Sequence, residues 1–551
     1  MTDLHRTKNF LLTLAICFVV VSLYVLNLRT LVPPDEGRYA EMAREMFASG
    51  DWVTTRLNGI KYFEKPPLQT WMTALAFTAF GLGEWQTRLW TGICGMLGVG
   101  LTGYAGWRVF GPRIGIYSAL VLGSSFYWTA SSQINSLDMG LSGMMTVALC
   151  AFLLAQHDAA NATERRNWML VCWAGMALSV LSKGLIGIVL PLGILTVYTF
   201  VAKDWRIWQR FHPAPGVPVF FAIAAPWFVM VGFRNPEQPY FFFVHEHFNR
   251  FMLNGHKREA AWWVFLALLA IGSIPWIGML LQSLVAGYKR RSGTFQPGLL
   301  LLIWVIFIIA FFTKSTSKLP GYILPVFPAL ALLIANYLVV CSRRQLVTNA
   351  SLMFVLGLAM LGVGPTVGSY SKRISEVAAF DAYAPWILAA GFVAAIGAMI
   401  AVYYLHTARR ACSIIVLAVA GFSATQLLLA GFEPIGQIRA GTGLVPAIQA
   451  EMRGDTRIYS VGIYEQSLTF YLKRTVTLVD YRDEFDFGLQ QQPDLALNSL
   501  EDFARHWRTD SGRGTPALAI LHSDLLPRLR KQGIALRIVA ADERRTVISN
   551  Q

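Results

Sequence analysis

The segment FLLTLAICFVVVSLYVLNL, from Phe10 to Leu28, runs for nineteen residues without a charged side chain. At a rise of about 1.5 Å per residue, a helix of that length spans the ~30 Å apolar core of a bilayer. It lacks the small-residue cleavage site of a signal peptide, so we expect it to remain as a transmembrane helix. Similar apolar runs recur along the 551-residue chain, of which 55% is hydrophobic and 14% charged. The sequence therefore predicts a polytopic α-helical membrane protein.

The net charge of +15 could suit a nucleic-acid partner, but the basic residues lie mostly in short loops between the apolar runs. That distribution is typical of cytoplasmic loops of a membrane protein, so no nucleic-acid partner is predicted. The basic residues that define these loops are Arg6, Lys8, Arg108, Arg113, Arg165, Arg166, Lys203, Arg206, Arg210, Lys289, Arg290, Arg291, Arg343, Arg344, Arg409 and Arg410.

The spacing of the basic loops predicts the number of membrane crossings, because two spans fit between most consecutive loops. The run 68–82 is short and follows Pro66 and Pro67, so we interpret it as an interfacial or re-entrant helix in the first outer loop. The total is about thirteen spans, which puts the two termini on opposite sides. The predicted spans are 10–28, 89–107, 114–130, 140–156, 168–182, 184–201, 216–233, 261–283, 297–313, 321–340, 348–367, 384–405 and 412–431.

The composition changes from about Glu433, where charges become more frequent. The short runs RIYSVGIY, TVTLVDY, ALAILH and ALRIVA are typical of strands, and they alternate with helix-like segments. We therefore divide the chain into a transmembrane domain, residues 1–431, and a soluble α/β domain, residues 432–551, on the outer side of the membrane.

Polar residues converge on the outer side of the predicted spans, beginning with the pair Asp35-Glu36 that follows the first span. Ionisable groups at span ends are costly near lipid, so such a cluster indicates a functional site. Asp35 could instead be only the N-cap of a following helix. That helix would be amphipathic and interfacial, with Tyr39, Met42, Ala43, Met46 and Phe47 on one stripe and Arg38, Glu41 and Glu45 on another.

The stretch VHEHFNR, from Val244 to Arg250, could bind a divalent metal ion, because alternate histidines point the same way on a strand. His245 and His247 are the candidate ligands, with Glu64 or Glu246 as a third; hydrogen-bonding histidines are the other interpretation. The long aromatic segment around it, residues 234–260, is expected to be a mobile cover over the site.

Four stretches resemble a known family: PPDEGRYAEMAREM (33–46), GDWVTTRLNGIKYFEKPPLQTW (50–71), QINSLDMG (133–140) and TKSTSKLPGYILPVFPALALL (313–333). They look like the bacterial lipid A 4-amino-4-deoxy-L-arabinose transferases (ArnT type), relatives of the protein O-mannosyltransferases among the GT-C glycosyltransferases. The resemblance implies inverting transfer of this sugar from undecaprenyl phosphate to lipid A phosphates, giving resistance to polymyxin and cationic peptides.

The resemblance also implies a location and a set of partners. The protein would be a monomer in the bacterial inner membrane, in contact with membrane lipids, with its site facing the periplasm and the transmembrane domain carrying catalysis. No cofactor would be required, with a divalent metal ion as the open alternative. Transfer of another polyprenyl-linked sugar to protein or glycolipid, or transport of a lipid-linked substrate, are the competing functions.

The resemblance, together with the cluster of polar residues on the outer side, implies a role for each residue. Asp35, Asp138 and Glu36 are expected to be catalytic. Because both substrates carry phosphate, cations are expected to hold them as charge-assisted donors. The predicted substrate-binding residues are Arg38, Tyr39, Tyr62, Glu64, Lys65, Lys183, His245, His247, Arg250, Lys318 and Tyr322.

Overall fold

A computed structural model describes residues 2–249, 260–288 and 294–551, without the side chains of residues 2–8 and 246–249. Arg250 and the basic loop residues Lys289, Arg290 and Arg291 lie outside the described residues, as does the side chain of His247.

Every predicted span overlaps one helix or consecutive helical segments, and the span 114–130 corresponds to Pro112–Ser124 followed by Phe126–Ser131. The prediction of a polytopic helical membrane protein followed by a soluble domain is confirmed. The helices are Thr2–Val25, Glu84–Phe110, Pro112–Ser124, Leu137–Gln156, Ala162–Lys183, Ile186–Ala202, Pro213–Arg234, Val264–Gly272 with Leu280–Gly287, Pro297–Lys314, Phe327–Val340 after the 3₁₀ turn Pro320–Val326, Arg343–Val363, Ile374–His406 and Arg410–Ala430.

Within the described part of the chain, seven helices are long and apolar enough to cross a membrane, or eight if one bent pair is a single span. Ile186–Ala202 is apolar but shorter, so the total of thirteen crossings stays a prediction. Leu137–Gln156 is the most enclosed of the seven, with 89% of its apolar window buried. Other helices therefore surround it, and they fix the position of the residues in its first turn.

The predicted span 261–283 is not one straight helix. Val264–Gly272 and the helical segment Ile277–Gly287 meet at an angle of 114°. Pro275 lies at the break, where its ring and missing N–H prevent the helix from continuing. The carbonyl groups freed by the break are satisfied by other helices: Ile274 accepts from the backbone N–H of Phe126 at 2.9 Å, and Pro275 from Nδ2 of Asn349 at 3.0 Å.

The first outer loop begins with the helix Asp35–Ser49, followed by the hairpin β1 (Arg56–Leu57) and β2 (Ile60–Lys61) and the helix Leu68–Phe80. The apolar stripe of the first helix is buried as expected, apart from Phe47, which is 41% exposed. The second stripe is not exposed to water as that of an interfacial helix would be: Glu41 is completely buried. The reason is that the soluble domain covers this side of the helix.

The soluble domain contains a six-stranded mixed sheet in the order β5-β4-β3-β6-β8-β7. The first four strands of that order are parallel, and β8 is antiparallel to both of its neighbours. The strands are β3 (Arg457–Val461), β4 (Thr477–Val479), β5 (Ala496–Leu497), β6 (Ala517–His522), β7 (Arg537–Ala541) and β8 (Arg545–Ser549). Helices Gln466–Leu472, Asp486–Gln491, Leu500–Gly512 and Leu526–Lys531 connect them, and Glu433–Ala440 and Val445–Glu451 precede them.

The soluble domain is docked on the first outer loop by backbone and side-chain hydrogen bonds. The amide of Asn58 makes two bonds of 2.7 Å with the backbone of Val476. The hydroxyl of Ser467 donates to the carbonyl of Leu31 at 2.8 Å. A Cβ atom at Gly37 would lie 2.5 Å from Oγ of Ser467, so only glycine permits this approach. The first loop and the soluble domain therefore share a close interface.

Two carboxylates lie in this interface: Glu41 is completely buried and Glu45 is partly buried. Glu41 accepts two hydrogen bonds of 2.6 Å from Arg44. Glu45 accepts from the backbone N–H of Gly59 at 2.8 Å, while its Oε1 is buried without a hydrogen-bond partner among the described residues. Burial, together with the charge of Glu41, raises the pKa of Glu45 to about 8. Glu45 therefore keeps its proton at neutral pH in the folded protein.

Replacing Glu45→Gln should stabilise the protein at high pH. The unfolded chain releases the Glu45 proton above a pKa of about 4.3, whereas the folded protein retains it up to about pH 8, so stability falls as pH rises between these values. Glutamine still accepts from Gly59 and cannot ionise. We expect the free energy of unfolding to increase by about 1–3 kcal/mol at pH 8, and we expect this increase to disappear near pH 5. Melting curves in detergent at the two pH values measure the difference. The exposed Glu501→Gln is the control, and equal gains at both pH values would contradict the prediction.

Candidate functional site

Asp35 is the first residue of the helix Asp35–Ser49, and its side chain is 52% exposed. Its carboxylate accepts a hydrogen bond from Nη1 of Arg38 at 3.1 Å. The residue before the helix is Pro34, and no side chain caps the helix start. The N-cap interpretation of Asp35 is therefore not observed, and its carboxylate remains accessible for another role.

Arg38 connects the first loop to the soluble domain. Its Nη2 donates to Oε2 of Glu484 at 3.0 Å, while Nη1 holds Asp35. Glu484 lies in the 3₁₀ turn Asp483–Phe485, and its Oε1 accepts from Nε2 of Gln466 at 3.1 Å. The guanidinium group predicted to bind phosphate is thus already shared between two carboxylates.

Two buried tyrosines lie near the carboxylates of the site. Tyr39 lies within electrostatic range of Asp35, Glu64 and Asp138, and burial followed by the charge of Asp35 raises the pKa of its hydroxyl well above the ordinary value. Burial and Glu64 likewise raise the pKa of Tyr62. Both hydroxyls therefore remain neutral hydrogen-bond donors at physiological pH.

Asp138 and Lys183 form an ion pair between two helices. Asp138 occupies the first turn of Leu137–Gln156, and Lys183 is the last residue of Ala162–Lys183. The Lys183 ammonium also lies 5.1 Å from the ring centre of Tyr322. A Cβ atom at Gly321 would lie 2.3 Å from Cγ of Asp138, so the 3₁₀ turn containing Tyr322 can approach this carboxylate only with glycine there.

Two further lysines that were predicted to bind substrate lie at loop ends. Nζ of Lys65 donates to the carbonyl of Glu64 at 3.0 Å and lies 3.9 Å from its carboxylate. Nζ of Lys318 donates to the carbonyl of Ser315 at 3.1 Å. Both side chains are partly exposed, so each ammonium can reach an anion that enters from the outer side.

Glu36 differs from Asp35 in every contact. It is 2% exposed, and its carboxylate accepts from Nε and Nη2 of Arg88 at 2.6 and 2.9 Å. It also accepts from the backbone N–H groups of Val32 and Asn135, both at 3.0 Å. Although burial alone would raise it, Arg88 holds the pKa of Glu36 below its usual value. The carboxylate is ionised and enclosed, with both oxygens engaged.

Part of the segment predicted as a cover, residues 234–260, is a π-helix, Tyr240–Asn249, that follows the end of the helix Pro213–Arg234. Phe241 is buried and stacks on Phe487 of the soluble domain with ring centres 3.8 Å apart, and His245 stacks on Phe241 at 5.2 Å. Lys61 pairs with Glu237 at 2.7 Å near the start of this segment. The other predicted residues, Arg250 and the side chain of His247, lie outside the described residues, so the cover stays a prediction.

The metal hypothesis finds no complete ligand set in the described part of the chain. No group of three or more His, Cys, Asp or Glu side chains there could hold a metal ion. Glu64 and His245 alone are too few for a closed site, since structural zinc takes four ligands and catalytic zinc three. Because the side chains of Glu246 and His247 are not described, this site also stays a prediction.

In the structure, Tyr39 lies within electrostatic range of four other predicted residues: Asp35, Arg38, Tyr62 and Glu64. It is also within range of Asp138, which is paired with Lys183. Sequence reasoning missed Glu484, Gln466 and Arg88. The position of Arg88 at the very start of a predicted span could have indicated this, because a charge at a span end often has a specific partner. Glu484 and Gln466 carried no such signal, since they lie among many charged and polar residues of the soluble domain.

Two family models match the chain. The model described as aminoarabinose transferase C-terminal domain matches residues 444–550, and that of dolichyl-phosphate-mannose-protein mannosyltransferase matches residues 64–230. An undecaprenyl phosphate-alpha-4-amino-4-deoxy-L-arabinose arabinosyl transferase of Edwardsiella ictaluri is 28% identical over 94% of this chain and 93% of its own length. One of the same name from Pseudomonas aeruginosa is 31% identical over 64% of each chain.

Solved structures give a closer match. ArnT from Cupriavidus metallidurans bound to undecaprenyl phosphate is 37% identical, with a TM-score of 0.93, over 99% of this chain and 98% of its own. Its apo form has a TM-score of 0.92 over the same shares. The oligosaccharyltransferase of Archaeoglobus fulgidus, at 12% identity and a TM-score of 0.51, shares the fold alone.

Proposed function

The chain belongs to the aminoarabinose transferases of the ArnT type, and from that membership we propose that it moves 4-amino-4-deoxy-L-arabinose from undecaprenyl phosphate to the phosphate groups of lipid A. It is a glycosyltransferase with a lipid-linked donor. The main observation that supports this proposal is that Asp35, Arg38, Tyr39 and the Asp138–Lys183 pair lie near one another. A site that contains both acids and cations suits transfer between two anionic lipids.

The protein is a multi-pass membrane protein, and we place it in the bacterial inner membrane with the site facing the periplasm. The positive-inside rule supports this orientation, because the arginine-rich loops lie at the opposite ends of the helices from Asp35 and Asp138. A periplasmic site has no supply of nucleotide sugars, which agrees with a donor carried on a membrane lipid. We propose that one copy of the chain holds the complete site.

In the proposed reaction, the bond between the sugar anomeric carbon and the undecaprenyl phosphate oxygen breaks, and its electron pair leaves with that phosphate. A lipid A phosphate oxygen forms the new bond on the opposite face of the sugar, so the configuration inverts. The sugar passes through an oxocarbenium-like state, for which Asp35 and Asp138 supply negative charge. The added amino group brings positive charge to lipid A, and this weakens attraction of cationic peptides such as polymyxin.

Two anionic phosphates must approach each other in this reaction, so we propose that Lys65, Lys183, Lys318 and Arg250 hold them. Arg38 is better suited to positioning, because Asp35 and Glu484 already share its charge. Glu36 is likewise better suited to holding the first loop against Arg88 than to chemistry, because its oxygens are engaged and buried.

Mass spectrometry of lipid A tests the proposed function. A strain lacking this protein and its relatives should gain the mass of one or more aminoarabinose groups on lipid A when the gene is supplied. Purified protein should give the same product from undecaprenyl phosphate aminoarabinose and lipid A. Transfer of another sugar, modification of protein instead, or movement of the donor lipid without any transfer would each contradict the proposal.

Replacing Lys183→Gln should reduce kcat/KM for transfer by about 10²–10³-fold, because it removes a cation from a site where charge develops on the leaving phosphate. The same range is expected for Lys65→Gln. Lys314→Gln is the matched control: Lys314 also lies at an outer helix end but is exposed. Steady-state rates of the three purified variants give the comparison. Normal rates for both Lys65→Gln and Lys183→Gln would show that other cations bind the phosphates.

A further inference from the structure

We propose that Glu484 of the soluble domain is a positioning residue for the transfer reaction, which acts on Asp35 through Arg38. The inference rests on the proposed function, since Asp35 is the group whose position would matter. It assigns a role in catalysis to a residue of the soluble domain.

The first support is the geometry of the Arg38 guanidinium. Nη1 contacts Asp35 at 3.1 Å and Nη2 contacts Glu484 at 3.0 Å, so the planar group lies between the two carboxylates. The Asp35 side chain is 52% exposed, whereas that of Glu484 is 10% exposed. An exposed ion pair three residues apart on a helix is weak and poorly oriented by itself. The buried contact with Glu484 therefore determines how Arg38 is oriented.

The second support is that Glu484 is itself firmly held. Nε2 of Gln466 donates to its Oε1 at 3.1 Å. The next residue, Phe485, is 1% exposed and packs edge-on against Tyr464 with ring centres 4.8 Å apart. Gln466 begins the helix that contains Ser467, which contacts Gly37 directly. Buried, closely packed groups therefore link Glu484 to the helix that contains Asp35.

The third support is the balance of charge. With one guanidinium shared by two carboxylates, the Asp35–Arg38–Glu484 group contains one more acidic side chain than basic ones. Without Glu484, Arg38 would pair with Asp35 alone, and its positive charge would neutralise the Asp35 carboxylate. Glu484 therefore keeps part of the Arg38 charge away from Asp35, and this leaves Asp35 able to stabilise a developing positive charge.

Docking of the soluble domain does not depend on this contact. The two Asn58–Val476 hydrogen bonds and the bond of 2.9 Å from the backbone N–H of Leu31 to the Tyr471 hydroxyl hold the domain elsewhere. A variant of Glu484 can therefore lose the link to Arg38 while the domain remains in place. This separation makes a catalytic effect distinguishable from a structural one.

The test compares purified Glu484→Gln with wild type in detergent, using undecaprenyl phosphate aminoarabinose and lipid A. We expect kcat to fall about 10- to 100-fold, with KM for both lipids within about 3-fold and the melting temperature unchanged. Glu484→Asp, which keeps the charge, should recover part of the lost kcat. Asp486→Asn is the control, because Asp486 lies two residues away in an exposed pair with Arg482.

A double-mutant cycle separates positioning through Arg38 from any other effect. In an Arg38→Gln background, adding Glu484→Gln should cause no further loss of kcat. Independent losses that multiply, a lowered melting temperature that accounts for the lost activity, or a wild-type kcat in Glu484→Gln would each overturn the inference. If wild type itself transferred no aminoarabinose, the proposed function would fail instead, and the two failures are thus distinguishable.

Discussion

Asp35→Asn should fold, bind undecaprenyl phosphate and yet transfer aminoarabinose at least about 10³-fold more slowly than wild type. The substitution keeps the size of the side chain and the contact of its oxygen with Arg38 at 3.1 Å, but it removes the negative charge. If that charge stabilises the oxocarbenium-like state, the loss appears in kcat and not in donor affinity. Single-turnover transfer and equilibrium binding of undecaprenyl phosphate measure the two quantities separately.

The pH dependence of the rate separates charge stabilisation from proton abstraction by Asp35. The acceptor phosphate has a second pKa of about 6 and is largely ionised at neutral pH, so it has little proton left for a carboxylate base to remove. We expect the wild-type rate to follow ionisation of the acceptor. A limb on a carboxylate pKa that is present in wild type and lost in Asp35→Asn, with residual pH-independent transfer, would establish Asp35 as a general base.

Asp51→Asn is the matched control for this experiment. Asp51 lies in the same outer loop, and one of its carboxylate oxygens accepts from the backbone N–H groups of Val53 and Thr54, both at 3.1 Å. An asparagine oxygen can accept both bonds. The variant should therefore transfer sugar at a rate close to wild type, and an equal loss in both variants would point to a general effect of removing acidic residues from this loop.

The membrane domain was predictable because apolar length is a local property of the sequence. The run Phe10–Leu28 and twelve others became helices, and the acidic motif after the first run lies at the proposed site. Four strand-like runs also became β3, β4, β6 and β7. The sequence did not predict β5, a strand of only two residues, or β8, although β8 pairs with β6 and β7. Strand pairing depends on the whole sheet rather than on composition alone.

The contacts within the site were much less predictable. Arg38 and Glu484 are 446 residues apart, and Glu36 and Arg88 are 52 residues apart. Periodicity and turn chemistry report on neighbours within a few residues, so they could not distinguish the exposed Asp35 from the buried Glu36. Adjacent acids in one motif were both interpreted as catalytic, and only tertiary packing separates their environments. The same limit explains why the burial of Glu41 was not predicted.

Removing either member of the Glu36–Arg88 pair should destabilise the protein strongly rather than lower kcat alone. Arg88 is completely buried, and besides Glu36 it donates to the carbonyl groups of Leu26, Arg29 and Thr30 at 2.7–3.0 Å. It therefore connects the end of the first span to the outer loop. Arg88→Ala leaves the Glu36 carboxylate buried without its cation, at a cost of about 3–5 kcal/mol.

Arg108→Ala provides the comparison, because Arg108 lies on the same helix but its ion pair with Glu164 is exposed. Its removal should change the free energy of unfolding by only about 0–1 kcal/mol. Melting temperature and the recovery of monodisperse protein in detergent measure both variants. Glu36→Ala should resemble Arg88→Ala, since it leaves the guanidinium unpaired. A purely structural carboxylate cannot be removed from this buried network without loss of stability. If Glu36→Ala melted like wild type and lost only transfer activity, Glu36 would therefore be a catalytic residue.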